Sequence, residues 1–350
     1  MGVHKENPSD SAAFPSVRCR TLAIHEGALG DLILALPALE ILAGQTGAVV
    51  DVCCRYRYGL LVHRLGLAHQ WFSADDRVWA TLHAGQPERR LSEILAQYYR
   101  VILFGFSQHL AEVLSRTTKG TVARVAPRPE PEDRTHVALH LVRGLRRRGI
   151  EGLSEYDESH IASWGRGKKG GGACGPDAHA VIHPGSGSRR KCWGLEGFLA
   201  CGDRLQREGR KVTYLVGPAD RFLAGELAAR GARSGRVRML DTIEDLLDLL
   251  DGAGAFIGND SGVTHLAAWL GVPTVAIFGP SDPVRWQPLG GSVILLRTSL
   301  ECLPCFETQP ANCSDPRCLS GTSPESVLDA LRKVEAFEPG QPRECVLAQT

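Results

Sequence analysis

Short, wholly apolar runs recur along the chain, separated by amphipathic stretches. In the first half, Thr21 to His25, Ala48 to Cys53, Val101 to Phe104 and Thr121 to Arg124 read as strands, with helical spacing over Asp31 to Ala43 and Leu91 to Gln97. The second half repeats the pattern at His179 to His183, Lys211 to Val216, Val237 to Leu240, Ala255 to Ile257 and Thr274 to Phe278. A helix is expected over Leu195 to Leu205. Thr242-Ile243-Glu244-Asp245 resembles a capping box ahead of Leu246, Leu247, Leu249 and Leu250, and Ser323 opens a last helix over Pro324 to Phe337. Strands that are apolar on both faces belong to parallel sheets covered by helices. Strand and helix alternating in both halves therefore predict an α/β chain of two doubly wound domains facing a cleft. The glycine-rich and charged stretch Gly165 to Pro176 suits a linker. The expected division is a tail at 1–17, an N-terminal domain at 18–164, a linker at 165–177, a C-terminal domain at 178–338 and a tail at 339–350.

Composition changes this picture little. The 350 residues favour two domains. Forty basic and thirty-nine acidic residues give no global case for a nucleic-acid partner, and none is expected. The polar stretch Met1 to Ser16 does not resemble a secretory leader, and the longest apolar stretch, Leu32 to Leu42, is short and carries Pro37 and Glu40. A cytoplasmic protein is expected, with peripheral contact at the inner face of the cytoplasmic membrane left open. Of eleven cysteines, Cys19, Cys53, Cys54, Cys174, Cys192, Cys201 and Cys345 are scattered and read as reduced core thiols.

Three segments carry candidate chemistry. Gly258 to Thr274 reads as strand end, tight turn, helix and next strand. Asp260 or Ser261 can cap that helix, Gly262 lets a ligand approach the backbone, the helix start favours phosphate, and His265 lies one turn in. The plainer reading is an ordinary turn in which Asp260 only caps. Glu26 to Pro37 follows a strand, and Asp31 there could take a proton from a hydroxyl or merely complement the helix dipole. His183 to Trp193 offers small residues, hydroxyls and Lys191 as a cradle for a diphosphate; alternatively Arg189, Arg190 and Lys191 are a solvated charge run.

Other signals fail or stand apart. Neither standard nucleotide loop is complete, so Asp51 is a weak sign of ribose binding, and no Asp-x-Asp pair offers carboxylates for a metal on a diphosphate. Cys302, Cys305, Cys313 and Cys318 bring four thiols into a proline-rich knuckle, which suits a structural zinc or iron ion better than disulfides. Nothing in the sequence ties that loop to catalysis. Arg55, Arg57, Arg143, Arg146, Arg147 and Arg148 could meet an acidic saccharide or lipid phosphates, although the Arg143 group also reads as a solvated helix face.

Taken in order, Gly27-Ala28-Leu29-Gly30-Asp31 with Pro37, His183-Pro184-Gly185-Ser186 with Lys191 and Trp193, Leu215 to Asp220, and Asn259-Asp260-Ser261-Gly262 with His265 and Gly279 to Pro283 resemble the ADP-heptose lipopolysaccharide heptosyltransferases, glycosyltransferase family 9. The resemblance spans about Arg20 to Leu331. It implies a GT-B fold, with acceptor bound by the first domain and nucleotide sugar by the second, and an inverting transfer of heptose from ADP-heptose to a hydroxyl of a lipopolysaccharide core or related lipid-linked or saccharide acceptor. No metal or other cofactor is implied for the catalysis. Asp31 matches the proposed general base; Ser186, Lys191, Asp220, Asp260, Ser261, Gly262 and His265 match donor-binding positions. Gly185-Ser186 stands where the best-known members often carry Thr-Thr, with an extra residue before Lys191. A GT-B-type sugar-nucleotide epimerase and a non-catalytic sugar-nucleotide binding protein are the alternatives.

Overall fold

The computed structural model describes residues 20–45, 48–150, 156–165, 178–231, 235–298, 302, 304–308, 313, 316–337 and 346–349. The first domain holds strands β1 (Arg20–His25), β2 (Val49–Cys54), β3 (Trp71–Ser73), β4 (Arg100–Phe104) and β5 (Thr121–Val125) in the order β3-β2-β1-β4-β5. The second holds β6 (Ala180–His183), β7 (Val212–Val216), β8 (Arg236–Met239), β9 (Ala255–Asn259), β10 (Thr274–Ile277), β11 (Val293–Arg297) and β12 (Val346–Gln349) in the order β12-β11-β10-β9-β6-β7-β8. Neighbouring strands are parallel throughout. Strand order reverses between β1 and β4 in one sheet and between β6 and β9 in the other. Ligands of open parallel sheets gather outside the carboxyl ends of strands at such reversals.

The expected elements are present with small shifts, the Leu91–Gln97 helix lying at Arg89–Leu95. Two strands went unrecognised: β3 is only three residues long and half-buried, too short to show a period, whereas β11 is a buried run. Residues 346–349, expected in a loose tail, instead pair with the open edge of β11, whose backbone groups need partners. Beyond Gly165, the expected linker lies outside the described residues, as does the 1–17 tail. The segment before it already rests on the second domain: Gly290 N–H donates to Ile161 O at 3.4 Å, and Gly165 lies against Trp269 and Gly290. The chain thus reaches the second domain before the expected boundary at 164.

One helix joins the two halves. Leu29–Ala43 is buried on nearly every side, from Leu32 through Leu39 and again at Leu42. A helix that is apolar all round must be enclosed. It lies among its own sheet, the Val137–Arg147 helix and the second domain's Gly262–Trp269 helix, and one hydrophobic cluster runs through both domains, from Leu32 and Ile33 to Leu266 and Trp269. A second tie is polar. Arg285, 1% exposed, donates to the carbonyls of Pro129, Glu130 and Asp133, and Arg134 makes a two-pronged contact with Asp282 at 2.8 and 3.0 Å. Beside them, buried His136 reaches Gln287 O at 3.0 Å with Nε2 while its Nδ1 accepts Ala138 N–H at 3.2 Å.

Cys53, Cys54 and Cys201 are buried free thiols, and burial pushes Cys54 and Cys201 up to about 12, which keeps them unreactive. Cys192 is half-buried and free. Cys19, Cys174 and Cys345 lie outside the described residues. Among the described residues no helix is long and apolar enough to cross a membrane.

Asp51, the weak ribose candidate, is fully buried. Its carboxylate takes Arg20 Nε at 2.7 Å, the Tyr98 hydroxyl at 2.7 Å and both nitrogens of Gln70, at 3.1 and 3.2 Å. It serves the fold and no nucleotide could reach it. Asp51→Ala strands that cluster and should lower unfolding stability by about 3–5 kcal/mol in urea titration; ADP affinity measured on the folded fraction should stay unchanged.

His136 gives a pH dependence with a definite sign. Burial holds its pKa at about 4 against 6.5 when unfolded, so between these values the unfolded chain binds more protons. Its contribution is whole above pH 6.5 and is lost as the pH falls toward 4, at up to about 1.4 kcal/mol per pH unit. The urea midpoint should drop between pH 7 and pH 5, and His136→Gln should flatten that slope.

Candidate functional site

The loops after β6 and β9 meet at the strand-order reversal of the second sheet. Asn259, fully buried at the end of β9, donates through Nδ2 to Pro184 O at 2.7 Å and accepts Trp193 N–H on Oδ1 at 2.9 Å. The Ser186 hydroxyl donates to Asp260 O at 2.7 Å. Asp220, arriving from the turn after β7, accepts Ser186 N–H at 3.1 Å and meets His183 Nε2 at 3.0 Å, and His183 Nδ1 lies 3.3 Å from Ser261 Oγ. A Cβ on Gly185 would fall 2.0 Å from the Asp220 carboxyl carbon, so only glycine fits there. Ser261 caps the Gly262–Trp269 helix, accepting Thr264 N–H. Ser186, Asp220, Asp260, Ser261, Gly262 and His265 are therefore brought together, with Asp220 and Asp260 both buried behind the loop.

Lys191 joins them from the far side. Its ammonium sits 2.9 Å from Asp260 Oδ2, an ion pair rather than an aligned hydrogen bond, and His265 Nε2 is 3.7 Å from Oδ1. Burial alone would push Asp260 up, but the Lys191 charge and then His265 hold its carboxyl well below the usual carboxylate range. Lys191 also lies 4.3 Å from the Phe306 ring centre, and Arg189 lies 4.3 Å from that of half-exposed Phe222. The result is a shallow surface carrying the cations of Lys191, Arg189 and Arg190 around one helix start, suited to a diphosphate.

Asp31 faces this surface from the first domain. It is half-buried in the first turn of its helix, and its Oδ2 accepts Ala28 N–H at 3.0 Å. A Cβ on Gly262 would lie 2.8 Å from Gly30 N and 2.8 Å from Leu29 Cβ, so the two helix starts touch one residue away from Asp31. His25, buried at the end of β1, flanks it, since a Cβ on Gly27 would meet His25 Cε1 at 2.7 Å and Asp31 Oδ2 at 3.2 Å. Burial holds His25 down at about 4, against the opposing pull of Asp31, so it stays neutral near pH 7. Of the arginines, Arg55 donates to Glu26 O at 2.9 Å, in the loop that leads to Asp31, whereas Arg143 turns to Tyr156 O at 3.2 Å.

Sequence reasoning missed the roles of His25, Asn259 and Phe306. The first two are polar residues closing apolar strand runs, a readable signal at a parallel sheet's carboxyl edge. Phe306 carries none. Cys305 and Phe306 donate backbone N–H groups to Pro280 O at 2.9 and 3.0 Å, which docks the cysteine loop beside Lys191. That loop, expected to stand apart from the chemistry, thus lies against Lys191. Cys302 and Cys313 are exposed and Cys305 and Cys318 half-buried. Burial and then the charges of Cys302, Cys305 and Cys313 push the Cys318 thiol up. Among the described residues no three metal-binding side chains stand at ligand spacing.

The family model for glycosyltransferase family 9 (heptosyltransferase) matches residues 157–314. Lipopolysaccharide heptosyltransferase 3 of Escherichia coli K12 is 34% identical over 122 residues, which is 34% of this chain, and the match spans about a third (36%) of that relative's own length. Across the whole fold, the ADP-heptose lipopolysaccharide heptosyltransferase II of Escherichia coli superposes with a TM-score of 0.68 at 18% identity, covering 90% of this chain and 98% of that one. The iron-containing dodecameric glycosyltransferase TibC of enterotoxigenic Escherichia coli H10407 superposes with a TM-score of 0.56 at 15% identity, covering 91% and 76%. The chain therefore has two parallel-sheet domains in the GT-B arrangement, and its residues 157–314 carry the signature of glycosyltransferase family 9.

Proposed function

We propose that the protein is a heptosyltransferase that moves heptose from ADP-heptose to a hydroxyl of a lipopolysaccharide core or related glycan, with inversion at the anomeric carbon. The observation that supports this reading is the contact between Gly30 and Gly262, which brings the helix start carrying Asp31 against the start of the Gly262–Trp269 helix. Asp31 accepts the proton of the acceptor hydroxyl as its oxygen attacks the anomeric carbon from the face opposite the diphosphate. The bond to the diphosphate oxygen breaks, and ADP departs with the charge. Lys191, Arg189 and the start of the Gly262–Trp269 helix meet that charge, so the chain's own cations serve in place of a catalytic metal. Asp260 and His265 orient Lys191, and Asp220 with His183 holds Ser186 and its loop from behind. The acceptor is lipid-linked or a free saccharide, and the reaction is assigned to the cytoplasm, with peripheral contact at the inner membrane face.

The four-cysteine loop is further proposed to hold a structural zinc or iron ion. Its four thiols suit a tetrahedral site in kind, and the charges of three of them reach Cys318. Binding would draw them to ligand spacing and stiffen the backbone that carries Phe306 against Lys191.

Asp31→Asn should cut transfer about 10²–10⁴-fold while leaving calorimetric ADP affinity within a factor of two. Lys191→Ala should weaken ADP binding roughly 10–100-fold. Wild-type turnover by the first variant, or wild-type affinity in the second, would refute the respective role. For the loop, elemental analysis of protein purified without added metal should find one zinc or iron per chain, lost in Cys318→Ser; no ion in stoichiometric amount would reject the site.

A further inference from the structure

We infer that Phe306 is a positioning residue of the donor site, its ring face holding the Lys191 ammonium ready for the diphosphate. The inference rests on the reading of Lys191 as a phosphate-binding cation, and it deepens that reading by giving the cysteine loop a part in nucleotide binding.

The backbone that carries the ring is anchored on both sides. Cys305 and Phe306 N–H groups share Pro280 O at 2.9 and 3.0 Å. The next residue, Glu307, accepts Arg285 Nη2 at 3.2 Å and Trp286 Nε1 at 3.0 Å, and Arg285 is itself 1% exposed. On this mount the ring is half-buried, yet among the described residues it joins none of the apolar clusters. Its neighbours are cations. Lys191 Nζ lies 4.3 Å from the ring centre and the Arg190 guanidinium 5.3 Å, both within reach of electrostatic attraction to an aromatic face.

Lys191 has three N–H donors to place. Asp260 Oδ2 lies 2.9 Å from Nζ. An oxygen at that distance and a ring centre at 4.3 Å cannot share one direction without overlap, so carboxylate and ring hold the ammonium from different sides. The lysine side chain keeps 19% exposure, which leaves room for a phosphate oxygen to reach the remaining donor. A second carboxylate in place of the ring would hold the ammonium too, but its charge would repel the diphosphate. A ring face attracts a cation through its quadrupole and adds no net charge. The rotamer freedom of the long lysine stem is thus lost before the ligand arrives, and more of the phosphate attraction appears as affinity.

The test measures ADP binding to the full chain by isothermal calorimetry, with Phe306→Leu and with phenylalanine bearing one, two or three ring fluorines placed at position 306. Fluorine draws electron density from the ring face while nearly preserving its shape. The dissociation constant should rise stepwise with each fluorine, reaching roughly three- to tenfold for three fluorines and for Phe306→Leu. In the Lys191→Ala chain the same replacements should change ADP affinity by less than about twofold, since the partner of the ring is gone. Wild-type affinity throughout the fluorinated series overturns the role and leaves the donor reading standing. So does a loss of equal size in the Lys191→Ala chain, which marks packing rather than charge. No ADP binding by wild type, or wild-type affinity in Lys191→Ala, refutes the donor reading and this role together. The stepwise loss without heptose transfer to a deacylated lipopolysaccharide core upholds the role of Phe306 and refutes the transferase reading.

Discussion

The contact between Gly30 and Gly262 sets the geometry on which everything else rests. Two helices from different domains meet start to start there, and a side chain at Gly262 would push them apart, since its Cβ would fall 2.8 Å from both Gly30 N and Leu29 Cβ. The approach is enforced from behind by the enclosed Leu29–Ala43 helix, whose apolar surface has no stable alternative to the second domain's Leu266 and Trp269. Because both helix starts carry partial positive charge, their meeting makes a natural place for anions. The first-domain start is answered internally by Asp31; the second-domain start has no carboxylate in its first turn and remains available to a ligand.

Behind the cleft lies a layer of buried charge that maintains the shape of the loops after β6 and β9. Buried carboxylates destabilise a fold unless each oxygen is answered. Asp220 is answered by His183 and Ser186 N–H, and Asp260 by Lys191 and His265. These pairs fix the loop before any ligand arrives, which limits the reorganisation needed when negative charge develops on a leaving group. The Lys191 and Asp260 pair also has a directional effect: the carboxylate holds the ammonium 2.9 Å away on one wall of the site.

Much of this architecture was legible in the chain. Strands buried on both faces read as unbroken apolar runs, and Asp31, Ser186, Asp260 and His265 stand within a few residues of strand ends, where the topology gathers ligands. What was illegible depends on contacts between distant segments. Asp51 sits at a position suited to binding a ribose, yet Arg20, Gln70 and Tyr98 enclose it, and no local pattern announces three such partners. Phe306 and Glu307 carry no local signal between the cysteines, but the docking of their loop on Pro280 brings them to Lys191 and Arg285. The three-residue β3 and the edge strand β12 are fixed by neighbours with open hydrogen-bonding edges rather than by their own periodicity.

The same constraint decides where the site can adapt. The inner walls cannot move independently, since the Leu29–Ala43 helix that carries Asp31 shares one hydrophobic cluster with the Gly262–Trp269 helix, and Arg285 and Arg134 tie residues 129–136 across the domains. A continuous apolar interface of this kind resists the free hinge motion usual between domains with polar contacts. Variation among ligands must then be absorbed at the rims, where side chains are exposed on fixed backbones. Phe222 with Arg189 lies on the second domain, and Phe106 with Arg128 on the first. Each pairs an aromatic face with a cation, so each rim can change its preferred partner by altering one side chain without disturbing the glycine contact between them.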